Sequence, residues 1–90
     1  MSAEQAGAEI VMMVNAVVRA LVEAPDDSCV LARFEDGWVR VNISVPPDDL
    51  GKVLGRSGKT IRSLRSIVQA VSSKNKVRCE LNVYETRGAA

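Results

Sequence analysis

Asp36-Gly37 lies between two runs of alternating apolar and polar residues, and this pattern constrains the fold more than any other feature of the sequence. Asp-Gly is a strong signal for a two-residue hairpin turn, which fixes the register of the two flanking strands. The predicted pairs are Phe34 with Val39, Ala32 with Val41 and Val30 with Ile43. These apolar side chains then share one face, as a half-buried antiparallel ribbon requires.

The other face of this ribbon is predicted to carry Leu31, Arg33, Glu35, Trp38, Arg40 and Asn42. Arg33 falls opposite Arg40, which is a repulsive pairing unless an anion or an acidic side chain lies nearby. Trp38 has two interpretations at this stage. It is either a partly covered hairpin residue or an anchor for an interface.

A first helix is predicted over Ala8 to Ala24, after a loose tail over residues 1–7. Its apolar residues occupy more than one face, and Pro25 is expected to end it. One interpretation is a helix pressed into a sheet, with methionines filling gaps. The alternative is that Met12, Met13 or Val17 also contacts a second subunit.

Two more helices and a third strand are predicted after the hairpin. Pro47 opens a short helix to Leu54, and a second helix with apolar residues at helical spacing follows the turn Gly55-Arg56-Ser57-Gly58. Asn75 is expected to be a left-handed cap before an alternating strand over Val77 to Tyr84. The apolar positions of the second helix are Ile61, Leu64, Ile67, Val68 and Val71.

The predicted class is therefore α+β, in the order α-β-β-α-α-β, with a three-stranded sheet packed against three helices. Ninety residues leave room for one small domain. We expect this domain to span residues 8–85, with flexible tails over residues 1–7 and 86–90.

The charge is strongly polarised along the chain although its net value is only +1. Residues 1–49 carry a charge of −6, whereas Leu50 to Cys79 contain eight basic and no acidic residues. Such a distribution is typical of a protein that binds anions.

Composition excludes several functions. The chain has no histidine and two cysteines fifty positions apart, so no common zinc spacing is present and we expect no metal and no cofactor. Cys29 and Cys79 are predicted to face opposite sides of the sheet, as free thiols of a cytoplasmic protein. The longest mostly apolar run, Ile10 to Val22, is too short and too polar for a membrane span.

Gly58-Lys59-Thr60 resembles the second half of a phosphate-binding loop, but the first half is absent because Val53 stands where that motif needs glycine. The two glycines could also simply permit a sharp corner between helices. That explanation leaves the surrounding cations unexplained. Five basic residues lie at or beside the turn: Lys52, Arg56, Lys59, Arg62 and Arg65.

A turn without side chains lets a phosphodiester backbone approach the main chain, where N–H groups at the start of the second helix can donate to it. Arg56 and Lys59 would neutralise neighbouring phosphates. Leu54 and Ile61, with part of the strand edge, are expected to form the floor under the bases.

The segment Val53 to Ile61, Val-Leu-Gly-Arg-Ser-Gly-Lys-Thr-Ile, resembles the signature of the KH domain, in which a GXXG loop clamps about four nucleotides of single-stranded nucleic acid. The predicted element order is similar to the prokaryotic, type II arrangement of that fold. Two further segments resemble the small bacterial stand-alone KH proteins of the KhpA type. They are Ala20 to Glu23 before Pro25-Asp26-Asp27, and Pro47 to Gly55.

This resemblance implies a non-catalytic RNA-binding protein, an RNA chaperone or post-transcriptional regulator, with no small-molecule substrate. It implies single-stranded RNA as partner, a homodimer and a larger KH-containing bacterial partner protein. Gly55 and Gly58 would be the loop glycines, Arg56 and Ser57 the pair facing the sugar-phosphate backbone, and Ile61 the apolar residue that locks the second helix. The full predicted RNA site is Lys52, Leu54, Gly55, Arg56, Ser57, Gly58, Lys59, Thr60, Ile61 and Arg62.

Two alternatives remain open from the residues. The apolar first helix could make the chain a protein-interaction module in which the basic loop is incidental. A helix-turn-helix protein could instead read duplex DNA with Arg62, Ser63, Ser66 and Gln69 of the second helix of the pair.

Overall fold

Three α-helices lie against one face of a three-stranded sheet in the computed structural model, which describes residues 2–86. The predicted α+β class and the element order are confirmed. The α-helices are α1 (Ala3–Leu21), α2 (Pro47–Leu54) and α3 (Lys59–Lys74), and the strands are β1 (Cys29–Glu35), β2 (Trp38–Val45) and β3 (Arg78–Glu85). Short 3-10 turns cover Pro25–Asp27 and Arg56–Gly58.

The sheet has the order β1-β2-β3, antiparallel between β1 and β2 and parallel between β2 and β3. The hairpin register is the one predicted from Asp36-Gly37. Arg33 does lie opposite Arg40, and the acidic side chain that this pairing requires comes from β3: Glu80 Oε2 is 3.7 Å from Arg40 Nε. A third strand distant in sequence therefore reduces the repulsion within the hairpin.

The first helix begins five residues earlier than predicted. Ser2 and Gln5 form a capping box, in which the Ser2 hydroxyl accepts from the Gln5 N–H and the Gln5 side chain accepts from the Ser2 N–H. The helix also ends earlier, at Leu21, because Val22 is already extended. The predicted loose tail is thus wrong for residues 3–7, whereas residues 87–90 lie outside the described part. The extent of the domain stays a prediction.

The core lies between the inner sheet face and the helices. Val39, Val41 and Ile43 on β2 are fully buried under Ile10, Val14 and Val18 of α1 and the apolar face of α3. Two predictions for α3 are wrong. Ile67 is 51% exposed rather than part of the core, and the left-handed residue after the helix is Lys76 (φ 55) rather than Asn75 (φ −95).

The cysteines lie as predicted, Cys79 buried in the core and Cys29 exposed. Burial, with a smaller effect of Glu80, raises the pKa of the Cys79 thiol. Within the described residues no helix is long and apolar enough to cross a membrane.

Asp49 is the buried acid that joins the end of α1 to the start of α2. Its side chain is 2% exposed, and its two oxygens accept from the backbone N–H groups of Glu23 (3.0 Å) and Ala24 (3.1 Å). Lys52 Nζ lies 3.5 Å from the same carboxylate. The hydrogen bond from Glu23 is the main cause that lowers the pKa of Asp49 below its ordinary value of 3.8, while desolvation opposes it.

We expect Asp49→Asn to lower the stability of the domain and to remove part of its acid sensitivity. Because the pKa of Asp49 is lower in the folded state, its stabilising effect is complete above about pH 5 and is lost as the pH falls through 3.8 towards the folded pKa. Urea unfolding between about pH 3 and pH 7 measures this. A variant whose stability falls with acid as steeply as the wild type would contradict the role of Asp49.

Candidate nucleic-acid interface

The corner between α2 and α3 contains three residues with positive φ within four positions. Gly55 has φ 76 and ψ 172, Ser57 has φ 56 and Gly58 has φ 73. The Gly55 conformation is essentially restricted to glycine, whereas a left-handed serine is tolerated at a cost. The sequence Gly-Arg-Ser-Gly therefore folds into a turn that few other tetrapeptides could adopt.

Gly55 is also required by close packing. A Cβ atom on Gly55 would overlap Thr60 Oγ1 and lie only 2.6 Å from Thr60 Cβ and 2.8 Å from Thr60 N. At Gly58 a Cβ atom would meet only the flexible end of Arg62, 3.2 Å away. The first glycine therefore has no room for a side chain, and the second is selected mainly by its backbone conformation.

Hydrogen bonds brace the turn from both sides. Gly55 N–H donates to Gly51 O (2.8 Å) and Gly58 N–H donates to Gly55 O (3.0 Å). Arg62 Nη1 donates to Ser57 O (2.6 Å) across one turn of α3. The loop is thus held in one shape before any ligand arrives.

The tip of the turn is exposed and positively charged. Arg56, Ser57 and Lys59 are all exposed, and among residues 2–86 neither Arg56 nor Lys59 has an acidic partner within salt-bridge distance. In the described part of the chain, no side chain caps the N-terminus of α3. Two unpaired cations thus lie beside the positive end of a helix dipole, which suits an anionic ligand.

Other predicted site residues have structural partners. Lys52 Nζ donates to Asp48 O (3.3 Å) and pairs with Asp49, and Arg62 braces the loop. Thr60 is half-buried beneath Gly55. These side chains shape the turn, and their charges add to its potential.

The predicted floor of the site needs one correction. Ile61 is only 4% exposed and belongs to the core, so it anchors α3 and does not present a surface to a ligand. Leu54 is half-buried and packs against the core with part of its side chain accessible. The expected role of Ile61 in locking α3 agrees with this burial, whereas its expected place in the floor under the bases does not.

Sequence reasoning missed the contribution of α3 to the free edge of β3. Arg65 Nε donates to Leu81 O (3.2 Å) and Gln69 Nε2 donates to Cys79 O (3.3 Å). These two residues are four positions apart and flank the buried Leu64 and Val68. Their i, i+4 spacing beside the core stripe is the signal that could have found them.

The residues proposed to read duplex DNA are already engaged. The hydroxyls of Ser63 and Ser66 donate to carbonyls of the preceding helical turn, at 3.0 and 3.1 Å. Arg62 and Gln69 donate to the loop and to β3. These contacts count against the helix-turn-helix alternative.

The candidate dimer contacts on α1 differ in exposure. Met12 is 72% exposed, whereas Met13 and Val17 are half-buried and pack against the core. Only Met12 is therefore largely available to a partner.

Comparison of the chain with known proteins shows its family. The family model described as KhpA/KhpB, KH domain, matches residues 12–83. The chain belongs to the KhpA/KhpB family of KH domains. Its element order α-β-β-α-α-β is consistent with a type II KH fold.

Curated relatives cover most of the chain. RNA-binding protein KhpA of Halalkalibacterium halodurans is 38% identical over 73 residues, which cover 81% of this chain and 96% of the relative. RNA-binding protein KhpA of Streptomyces coelicolor is 42% identical over 65 residues, covering 72% of this chain and 81% of the relative.

One solved structure shares the fold. It is a variant of Aquifex aeolicus Era bound to GDP.AlF4-, with a TM-score of 0.62 and 15% sequence identity. The match covers 88% of this chain and 31% of that chain. At this identity the likeness describes the fold alone.

We expect Gly55→Ala to destabilise the domain by about 3 kcal/mol or more, because it adds both backbone strain and overlap with Thr60. Gly37→Ala is the matched control. Gly37 also has positive φ (+79), but no other described residue lies within 4 Å of an added Cβ, so its cost should be about 1 kcal/mol. Equal losses in urea unfolding would show that packing against Thr60 does not matter.

Proposed function

We propose that this chain is a non-catalytic RNA-binding protein that clamps single-stranded RNA at the loop Gly55-Arg56-Ser57-Gly58. The observation that carries the proposal is the exposed tip of this loop, where Arg56 and Lys59 have no acidic partner within residues 2–86 and no side chain caps α3. The naming of its relatives as RNA-binding proteins supports the same function.

The clamp would work by close approach and charge. Because Gly55 and Gly58 lack side chains, a sugar-phosphate backbone can lie against the loop. Arg56 and Lys59 then neutralise flanking phosphates, and the start of α3 adds its dipole. Lys52 and Arg62 raise the local potential, and Leu54 offers an apolar contact beside the strand.

Such binding would carry little sequence information, since contacts to phosphate position a strand without reading its bases. It suits an RNA chaperone or a post-transcriptional regulator acting in the cytoplasm. These roles and the location stay predictions.

We expect Arg56→Asp with Ser57→Asp to weaken binding of a short single-stranded RNA by about tenfold or more, because acids replace a phosphate contact and its neighbour. The fold should survive, since aspartate accepts the left-handed backbone of Ser57. Fluorescence anisotropy with labelled RNA measures the affinity. In the wild type the slope of log K against log salt should be about −2 for about three phosphates.

A matched control is Arg33→Asp with Leu31→Asp. It makes the same change in net charge on exposed positions of β1. If both double variants bind RNA alike, net charge rather than the loop governs binding. Unchanged affinity of the loop variant would contradict the clamp.

We further propose that the chain forms a homodimer through α1 and pairs with a larger KH-containing protein. Support for the homodimer comes from Met12, a large apolar side chain left exposed in the middle of α1. The half-buried Met13 and Val17 would lie at the margin of such a contact.

Met12→Glu should shift the protein towards monomer in sedimentation velocity, because a charge would be buried in the interface. Met12 is the suitable position, since a charge at Val17 would also disturb packing against the core. Ala70→Glu, at an exposed position on α3, controls for added charge. If Met12→Glu sediments like the wild type, α1 is not the dimer contact.

A further inference from the structure

The outer edge of β1 has none of the features that usually keep an edge strand from pairing with another chain. Those features are short length, proline, lysine and bulges. β1 is seven residues long, contains no proline or lysine, and pairs with β2 without interruption from Cys29 to Glu35. At the other edge of the sheet, side chains of α3 already bond to carbonyls of β3. The β1 edge is therefore the one open to a further strand.

The backbone groups on this edge follow from the hairpin turn. Asp36 and Gly37 both have positive φ, as a two-residue hairpin turn requires, so the flanking Glu35 and Trp38 are hydrogen-bonded to each other. Bonded and non-bonded residues alternate along an antiparallel strand. The residues whose N–H and C=O groups point away from β2 are then Val30, Ala32 and Phe34. Within residues 2–86 these groups have no partner on that side.

Apolar side chains are exposed on both faces of β1. Leu31, on the face away from the helices, is 62% exposed, and Phe34, on the face toward them, is 47% exposed. The Phe34 ring lies against Gly7 of α1, where an added Cβ would be 2.7 Å from it, yet nearly half of the side chain stays open. A strand added beside β1 would cover both side chains, which favours its binding.

The charges on the face away from the helices define what such a strand should carry. Glu80, Arg40 and Arg33 lie side by side across β3, β2 and β1. Glu80 pairs with Arg40, whereas Arg33 has no acidic partner within salt-bridge distance among residues 2–86. An acidic side chain opposite Arg33 would balance it from the open side, as Glu80 balances Arg40.

A second copy of β1 does not supply this acid well. Two antiparallel copies that pair over all seven residues place Leu31 opposite Arg33. A register centred on Arg33 sets the two arginines against each other, which is repulsive. Glu35 comes opposite Arg33 only in a register centred on Phe34, and that register pairs no more of β1 than residues 33–35. A segment of a different protein is the better match.

We propose that the free edge of β1 binds an extended segment of another protein as a fourth strand, antiparallel to β1. The segment alternates apolar side chains, which lie beside Phe34, with polar ones that include an acid opposite Arg33. Because β1 and β3 are opposite edges of the sheet, this site uses neither α3 nor the loop before it. It would attach a second protein to the chain independently of RNA, and so goes beyond the proposed function.

A synthetic peptide of this pattern tests the proposal. The probe is Lys-Val-Glu-Val-Thr-Val-Thr, which in the antiparallel register sets its glutamate opposite Arg33 and its lysine opposite Glu35. The control peptide has the lysine and the glutamate exchanged, so its composition is the same. It should bind about fivefold or more weakly in fluorescence anisotropy at low salt, because like charges then lie opposite each other at both positions.

Amide hydrogen exchange followed by NMR locates the bound peptide. The probe should slow exchange at the open edge, that is, at Val30, Ala32 and Phe34. Exchange at Leu31 and Arg33 should change little, because their N–H groups already bond to β2.

Ala32→Pro removes the central N–H of the open edge and leaves the bonds to β2 intact, since proline is accepted in edge strands. It should abolish binding of the probe, whereas Ala32→Ser, which keeps the N–H, should retain it. Circular dichroism checks the fold. Arg33→Glu gives a test that does not depend on the proline variant, because it should reverse the preference between the two peptides.

Three results would overturn the proposal: no binding of either peptide to the folded wild type, equal affinity for both peptides, or slowed exchange at the edge without peptide as protein concentration rises. The last would assign the edge to a second copy. The loop variant Arg56→Asp with Ser57→Asp should bind the probe like the wild type, and Ala32→Pro should bind RNA like the wild type. Failure of the strand site is therefore distinguishable from failure of the clamp.

Discussion

The contact of Gly55 with Thr60 is the constraint on which the rest of the site depends. With no side chain at Gly55, the chain can turn from α2 into α3 with the hydroxyl and backbone of Thr60 directly against it. The turn then takes left-handed conformations at Ser57 and Gly58, and Arg62 fixes the result by donating to Ser57 O. A flexible loop would lose conformational entropy on binding, whereas this one is already ordered.

The fold decides which basic residues are available to a ligand, because it supplies partners for some of them and not for others. Several basic residues of the acid-free segment are engaged inside the molecule: Lys52 with Asp48 and Asp49, and Arg62 with the loop. Arg56 and Lys59 remain exposed at the loop. The same positive segment therefore divides into residues that build the surface and residues that can face a polyanion.

The parts of the structure that sequence patterns predicted are those governed by short-range rules. Asp36-Gly37 specified the hairpin register, and the spacing of the two glycines located the corner, because both depend on the backbone preferences of adjacent residues. The predictions that failed depended on details that periodicity does not resolve. Ser2 and Gln5 lengthened α1 through a capping box, Ile67 turned to solvent, and Lys76 rather than Asn75 took the left-handed conformation after α3.

The sequence by itself determined the elements, their order and the place of the loop, because alternation, helical spacing and glycine all act locally. Tertiary structure alone decided which charges stay available and which groups pair across the fold. It placed Glu80 beside Arg40 and brought the Asp49 carboxylate to the backbone N–H groups after α1. It also placed Arg65 and Gln69 against the free edge of β3. These contacts join residues that lie from ten to forty positions apart, so only the packing of the helices on the sheet could select them.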